Sequence, residues 1–478
     1  MANRKAIVIA KFNTGGIADS KYMGIPNSVA KLIGFDIHSE PGVLNVNQAL
    51  TKESGTTVTG FVKKILPCSD GNTYLFDSLS GKVWKRTSGG VYSLITTLTP
   101  AAGAAGVIDA REYNGYIYYT MESRLGRVVV GAPTDWSTRT DDWQTFTNTD
   151  ATNHPMIEQN SILYIGQGNL LSQVSEAGVY TASALDLPVQ YTISSLGKID
   201  TDVLIGTYID DNINLTSAFR WNTWSVSWSG DDPIREIGIN AFIDCDNFLL
   251  VNAGKRGNLY SVDGYKLNLQ KRIPGIYSSV KQGKIFPNAF GNINGLPIFG
   301  FSNVQGNPAP QGIYSYGSLT PEYNKVLNLE YPISQVDGDG RPVVDGVEIG
   351  AVAVLGELIL VSWRIGSTYG VDKLDTASKV PVATIETRVM NIRRFQLNRY
   401  KEYAVHYESL PAGTSIRMYY KKNHATDWTQ FTVKVDSIEA RVYVELDLDG
   451  ANTLQLKVEA VSSGNDSPKI EDITIFTL

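Results

Sequence analysis

The segment Val336-Asp337-Gly338-Asp339-Gly340 sets two carboxylates one residue apart on a glycine-flanked turn, with Asp345 and Glu348 downstream. Alternating aspartates of this kind can offer hard oxygen ligands to calcium. With Asp337 at the first position of such a loop, Glu348 falls at the closing twelfth. The middle of the pattern departs from it. Arg341 occupies the fifth position, where an oxygen ligand belongs, and Pro342 stands where the sharp turn needs glycine. The expectation is a solvated hairpin loop and no metal.

Other chemistry is thin. The sequence has no G-x-S-x-G elbow, no H-E-x-x-H pair, no phosphate-binding loop and no dinucleotide glycine fingerprint. Cys68 and Cys245 adjoin predicted strands, and His38, His154, His406 and His424 are scattered. That spacing gives neither a zinc site nor a disulfide framework; two buried, unpaired thiols are expected. Ser69-Asp70-Gly71-Asn72-Thr73-Tyr74 is loosely reminiscent of the aspartate box of sialidases, but the spacers before the glycine are missing and Tyr74 replaces the tryptophan. A sialidase-like glycoside hydrolase is thus a distant alternative. The expectation is a protein that is not an enzyme, with no catalytic residue and no cofactor. Trp221, Trp224 and Trp228 follow Arg220 at spacings of three and four. Such aromatics can stack on sugars or anchor a protein interface, or simply pack between sheets. With Phe12, Ile17 and Tyr22 near the N-terminus, they are the candidate interface residues.

The elements that would position these residues are strands. Gly (44 residues), Asn, Asp and Ser cluster between short runs of Val, Ile, Tyr and Thr, and Tyr alone numbers 25. This is the punctuation of strands and tight turns. The net charge is −6, without a Lys/Arg block, so the footprint of a sequence-specific nucleic-acid binder is missing. The apolar run Ala6 to Ala10 is too short for a signal core or a membrane span, so cytoplasmic synthesis without membrane insertion is expected.

A short apolar strand recurs at Asn72–Phe76, Gly115–Tyr119, Ser161–Gly166, Asp202–Gly206, Asn247–Val251, Gly295–Gly300 and Glu357–Val361. Most neighbouring copies lie about 40 to 50 residues apart, the period of a four-stranded propeller blade. Most are followed by a Gly-led strand, as in Gly81-Lys82-Val83-Trp84 and Gly126-Arg127-Val128-Val129, and the two read as a hairpin. One twisted sheet cannot bury both its faces, whereas sheets stacked radially bury one another's. The predicted fold is all-β: a β-propeller of about seven blades over residues 42–378, with Pro41–Val46 as the strand that closes the ring. Residues 1–41 read as an irregular arm carrying a short helix candidate around Asn27 to Ile33. Deleting Met1–Glu40 is accordingly expected to leave a folded, assembly-defective protein. From residue 379 to 478 the pattern changes to clean alternation in seven or eight strands, a jelly-roll-like β-sandwich with one wet face per sheet.

The opening Phe12-Asn13-Thr14-Gly15-Gly16-Ile17-Ala18-Asp19-Ser20, the pair Gly34-Phe35-Asp36-Ile37 and Pro41-Gly42-Val43-Leu44, and the closing Ser467-Pro468-Lys469-Ile470 resemble the propeller-type virion structural proteins of tailed bacteriophages. Gly34-Phe35 departs from the Asn-containing pair often found there. The resemblance covers most of the chain through short motifs. It implies a component of the virion tail, at a nozzle or tip ring or at a fibre attachment, with other virion structural proteins as partners. It also implies self-association in a ring, six copies by analogy, and no catalytic residues. The rival expectation is a host-receptor module that binds cell-surface glycan.

Overall fold

A computed structural model describes residues 5–54, 57–98, 106–132, 135–149, 152–210, 213–245, 248–264, 266–273, 282–305, 309–319, 325–391, 400–435, 441–445 and 452–477. The chain divides into two compact units. One comprises Lys52–Gln311 and Asp345–Lys373; the other comprises Met1–Thr51, Gly312–Val344 and Leu374–Leu478.

In the first unit, five four-stranded antiparallel meanders follow one another. Their innermost strands are Val62–Pro67, Asp109–Tyr113, Met156–Gln159, Thr192–Ile199 and Ile239–Cys245. A sixth sheet begins with Gln282–Ile293 paired to Leu296–Gln305, and a seventh with Val347–Leu355 paired to Leu358–Ile365. Each innermost strand touches that of the next sheet, and Val347–Leu355 returns to Val62–Pro67, so the ring closes. The sheets are the blades of a seven-bladed β-propeller. Every recurrent strand read from the sequence falls on the second strand of its blade and starts within one residue of it; Asn247 lies outside the described residues.

Burial explains the ring. Tyr74, Phe76 and Val83 of blade 1 form one apolar cluster with Ala110, Ile117 and Tyr119 of blade 2. Leu163 and Ile165 of blade 3 join Tyr118 and Leu125 of blade 2, and Ala351 and Leu360 of blade 7 join Ile65 and Leu75 of blade 1. Trp136, from the loop after the third strand of blade 2, is 1% exposed and wedges against Tyr74, Phe76 and Tyr119. Gly126 is required beneath Tyr119: a Cβ there would lie 2.2 Å from the ring.

The closing strand is not Pro41–Val46. Gln48–Lys52 pairs with Thr368–Lys379 of blade 7. The clasp continues as the Glu53 amide donates to the Val371 carbonyl (2.9 Å) and the Val371 amide donates to Ser54 Oγ (3.1 Å). Leu44–Val46 belongs to the second unit, where Leu44 pairs with Ile470.

The second unit holds strands from three separate stretches of chain. One sheet runs Phe35–Asp36, Leu44–Val46, Lys469–Thr477, Tyr400–Tyr407, Arg441–Glu445, with Lys5–Ile9 also on Lys469–Thr477. In the other, Lys31–Ile33 lies parallel to Val326–Tyr331 and antiparallel to Val382–Glu386, followed by Thr453–Val461, Ser415–Lys422 and Thr429–Val435. The Tyr403 ring of the first sheet lies 6.2 Å from the Phe431 ring of the second.

Three expectations change here. Residues 1–41 are not a surface arm: Phe12, Ile17, Ala18, Val29, Leu32, Phe35 and Ile37 are all buried within the second unit. The helix candidate around Asn27 to Ile33 is a turn leading into Lys31–Ile33, because the open edge of Val382–Glu386 supplies its backbone partners. Boundaries at 41 and 378 do not separate the compact units, since Gly312–Val344 joins both chain ends in one of them.

Candidate functional site

The innermost strands of the propeller surround a cavity of about 270 Å³. All seven blades contribute to its wall, through residues that include Lys64, Asp109, Met156, Lys198, Asp244, Asn288 and Val352. Alternation along a strand places Asp109 and Arg111 on one face of the blade 2 inner strand, and both line the cavity. The Lys64 ammonium pairs with Asp109 Oδ1 at 3.0 Å and donates to Asn288 Oδ1 at 2.8 Å. Asp109 Oδ1 also accepts from Asn288 Nδ2 (3.2 Å) and the Ala110 amide (2.8 Å), while Oδ2 accepts from the Met156 amide (2.8 Å). Burial pushes the Lys64 ammonium below its ordinary pKa; Asp109 opposes that shift and the Arg111 cation adds to it. Arg111 Nε is buried without a hydrogen-bond partner.

A second basic group stands on the same unit. Lys63 and Lys284 lie over the Phe286 ring at 4.9 and 5.0 Å, and Arg364 lies over Phe61 at 4.4 Å. Burial, then the Lys284 and Arg364 charges, lower Lys63 to about 8. Arg364 is itself bound by Glu348, with Nη2–Oε1 at 2.6 Å.

The six candidate interface residues are not one surface. Phe12, Ile17 and Trp221 are core residues at 1%, 3% and 3% exposure. Trp228 packs edge-on against Phe219, and the Trp221 indole donates to the Ser225 carbonyl at 2.7 Å. Trp224 is 83% exposed, with Val226 at 98%. Their loop is pinned by Asn222, whose Oδ1 accepts from the Trp224 and Ser225 amides (3.1 and 2.9 Å). Tyr22 is exposed in the second unit, edge-on to His424 at 5.9 Å.

The motifs weighed for metal and glycoside chemistry are turns. Asp337 Oδ1 accepts from the Asp339 and Arg341 amides (both 2.9 Å), and Val336 bridges Pro342. Arg341 then reaches Glu459 (2.8 Å). Among the described residues, no group of three or more His, Cys, Asp or Glu is placed to hold a metal. Asp70 accepts from the Tyr74 hydroxyl (2.7 Å) and the Asn72 amide (3.0 Å), fixing the hairpin turn of blade 1. His154 is buried in the propeller against the Gly166 and Glu122 carbonyls, and His38 is buried in the second unit beside Glu330 (3.3 Å). Cys68 and Cys245 are free thiols, but only Cys245 is buried; Cys68, at the hairpin turn of blade 1, is half-buried. No helix of the described residues is long and apolar enough to cross a membrane.

Sequence reading missed the cavity residues altogether. Its available signal was charge inside strands: Lys63-Lys64 between Val62 and Ile65, and Asp109 and Arg111 two apart in an innermost strand.

No protein-family model and no curated protein matches this sequence. Among solved structures, the chain is similar to the extracellular domain of a hybrid two component system from B. thetaiotaomicron, with 14% identity and a TM-score of 0.47 over 76% of this chain and 43% of that one. It is similar to a streptogramin B lyase at 13% identity and a TM-score of 0.45, over 69% of this chain and 98% of that one. The Neurospora crassa Pan2 WD40 domain shares 9% identity at a TM-score of 0.42, over 70% of this chain and 96% of it. The chain thus spans less than half the length of the first of these. The propeller assignment rests on the closed ring of blades in the chain's own structure.

Proposed function

We propose that the protein is a non-enzymatic structural component of a bacteriophage virion, carried in the tail and acting through protein–protein interfaces. The observation that carries this reading is where the virion-like motifs gather. Phe12 to Ser20, Gly34 to Ile37, Pro41 to Leu44 and Ser467 to Ile470 come from opposite ends of the chain, yet all belong to one compact unit. Leu44 pairs with Ile470, Asn45 pairs with Lys469, and the Lys469 ammonium lies 3.2 Å from Glu40. Three of the four motifs contribute strands to one sheet, as the framework of a shared structural module would. On the propeller, the pinned loop carrying Trp224 and Val226 offers an apolar contact of the kind that anchors protein interfaces. Its partners in this reading are other virion proteins and further copies of the chain in a closed ring.

The test is mass spectrometry and immunogold labelling of purified particles of the phage that encodes the chain. Labelling confined to the tail is expected. Particles that lack the protein, or labelling only of lysate, would overturn the reading. The double substitution Trp224→Ser with Val226→Ser should lower incorporation into particles while leaving the melting curve of the free chain unchanged.

A further inference from the structure

We propose that the axial cavity of the propeller is a binding site for a small oxyanion, a phosphate or carboxylate group, held by the Arg111 guanidinium with the Lys64 ammonium as second cation. The charges on the cavity wall do not balance. Three cations (Lys64, Arg111, Lys198) and two carboxylates (Asp109, Asp244) line the cavity. Asp109 is already engaged by Lys64, Asn288 and two backbone amides. Lys198 and Asp244 are exposed.

Arg111 is therefore left over. Its Nε is buried with no hydrogen-bond partner, and among the described residues no ion pair reaches it. A guanidinium carries five donors in a fixed fork matched to carboxylate and phosphate oxygens, and it does not lose its proton to escape burial. Arg111 is half-buried, and a donor shut off from water without a partner costs free energy, so native structures satisfy such donors. Arg111 also repels Lys64. An oxyanion in the cavity would satisfy the free donors and offset that repulsion at once. At about 270 Å³ the space lies just below the range of ordinary ligand pockets, which favours a small ligand over an extended one.

Isothermal titration of the full chain with inorganic phosphate, and separately with malonate, tests this at matched ionic strength set by chloride. Saturable binding of one anion per chain is expected, with the preferred anion naming the group. Arg111→Gln should weaken it about tenfold or more, the loss of a charged hydrogen bond. Arg111→Lys should weaken it less, and Lys198→Gln by less than about twofold. Hydrogen exchange on the unaltered chain keeps the test open if Arg111→Gln fails to fold. Anion-induced protection should then centre on Val62–Pro67 and Asp109–Tyr113. No saturable binding of either anion, equal binding by Arg111→Gln, or protection away from these strands would overturn the proposal.

Discussion

The two units build their cores by opposite routes. In the propeller, hydrogen-bonded partners are close in sequence: Tyr113 pairs with Tyr116, and Gln159 with Ile162. In the second unit, Lys5 pairs with Thr477, and Lys31 with Glu386. Local pairing forms early and independently, whereas pairing across the whole chain must first overcome loop-closure entropy. Blades 1 to 5 can thus form as the chain proceeds, while the second unit waits for its last strand. It is the more vulnerable of the two to any change at either end.

The largest expected effect breaks one unit and spares the other. Deleting Met1–Glu40 removes Lys5–Ile9, Lys31–Ile33 and Phe35–Asp36, together with the buried side chains of Phe12, Val29 and Leu32. In hydrogen-exchange mass spectrometry, Val382–Glu386 and Lys469–Thr477 should lose protection, while the strands of blades 1 to 5 keep theirs. Retained protection in Lys469–Thr477 would restore the view of this stretch as a detachable arm.

Next comes Trp136→Ala, which empties the wedge between blades 1 and 2. The expected cost is about 3–5 kcal/mol, read from the denaturant midpoint of the propeller transition. The matching probe of the second unit is Glu459→Gln. Glu459 is fully buried and bound by Arg341 (2.8 Å) and Lys457 (2.7 Å). The substitution should cost about 3 kcal/mol, because Lys457 loses its counter-charge, Arg417 loses a second contact at 3.7 Å, and Arg341 keeps only the exposed Asp339. Burial alone would raise the Glu459 carboxyl, but its bonds to Arg341 and Lys457 outweigh it and hold the group below the ordinary value. Its stabilisation is therefore complete above the unfolded carboxyl pKa of about 4.3 and fades as pH falls through the lower folded value.

The smallest effect has the opposite sign in pH. Burial would lower the His38 imidazolium, but Glu330 more than compensates, with Asp36 adding to it, and raises it above the ordinary value. Protonated His38 then stabilises the second unit fully below the unfolded value near 6.5, and that contribution disappears as pH rises through the folded value. Melting curves above pH 6 should show a decline in the second unit's transition that His38→Gln abolishes. An unchanged slope in that variant would remove His38 as its source.

Much of the propeller was legible in the sequence. The apolar strand and its Gly-led successor appear in the structure as the second and third strands of a blade, as at Thr73–Asp77 with Lys82–Arg86. The described residues from Val382 onward also hold eight strands, matching the seven or eight expected from the alternation. The closing strand, the packing of Phe12 and Ile17, and the gathering around Arg111 were not legible. Gln48–Lys52 looks no more like a closing strand than Leu44–Val46 does, and which of them meets blade 7 depends on the path of the whole chain.

Local chain order sets the hairpins and their period, because turn residues and the strands they join lie within a few positions of one another. Long-range packing sets which distant strands share a sheet, which tryptophans face water, and which charges meet inside the ring. Those outcomes depend on closing loops of tens to hundreds of residues, and on burial that each side chain acquires only from neighbours remote in the chain.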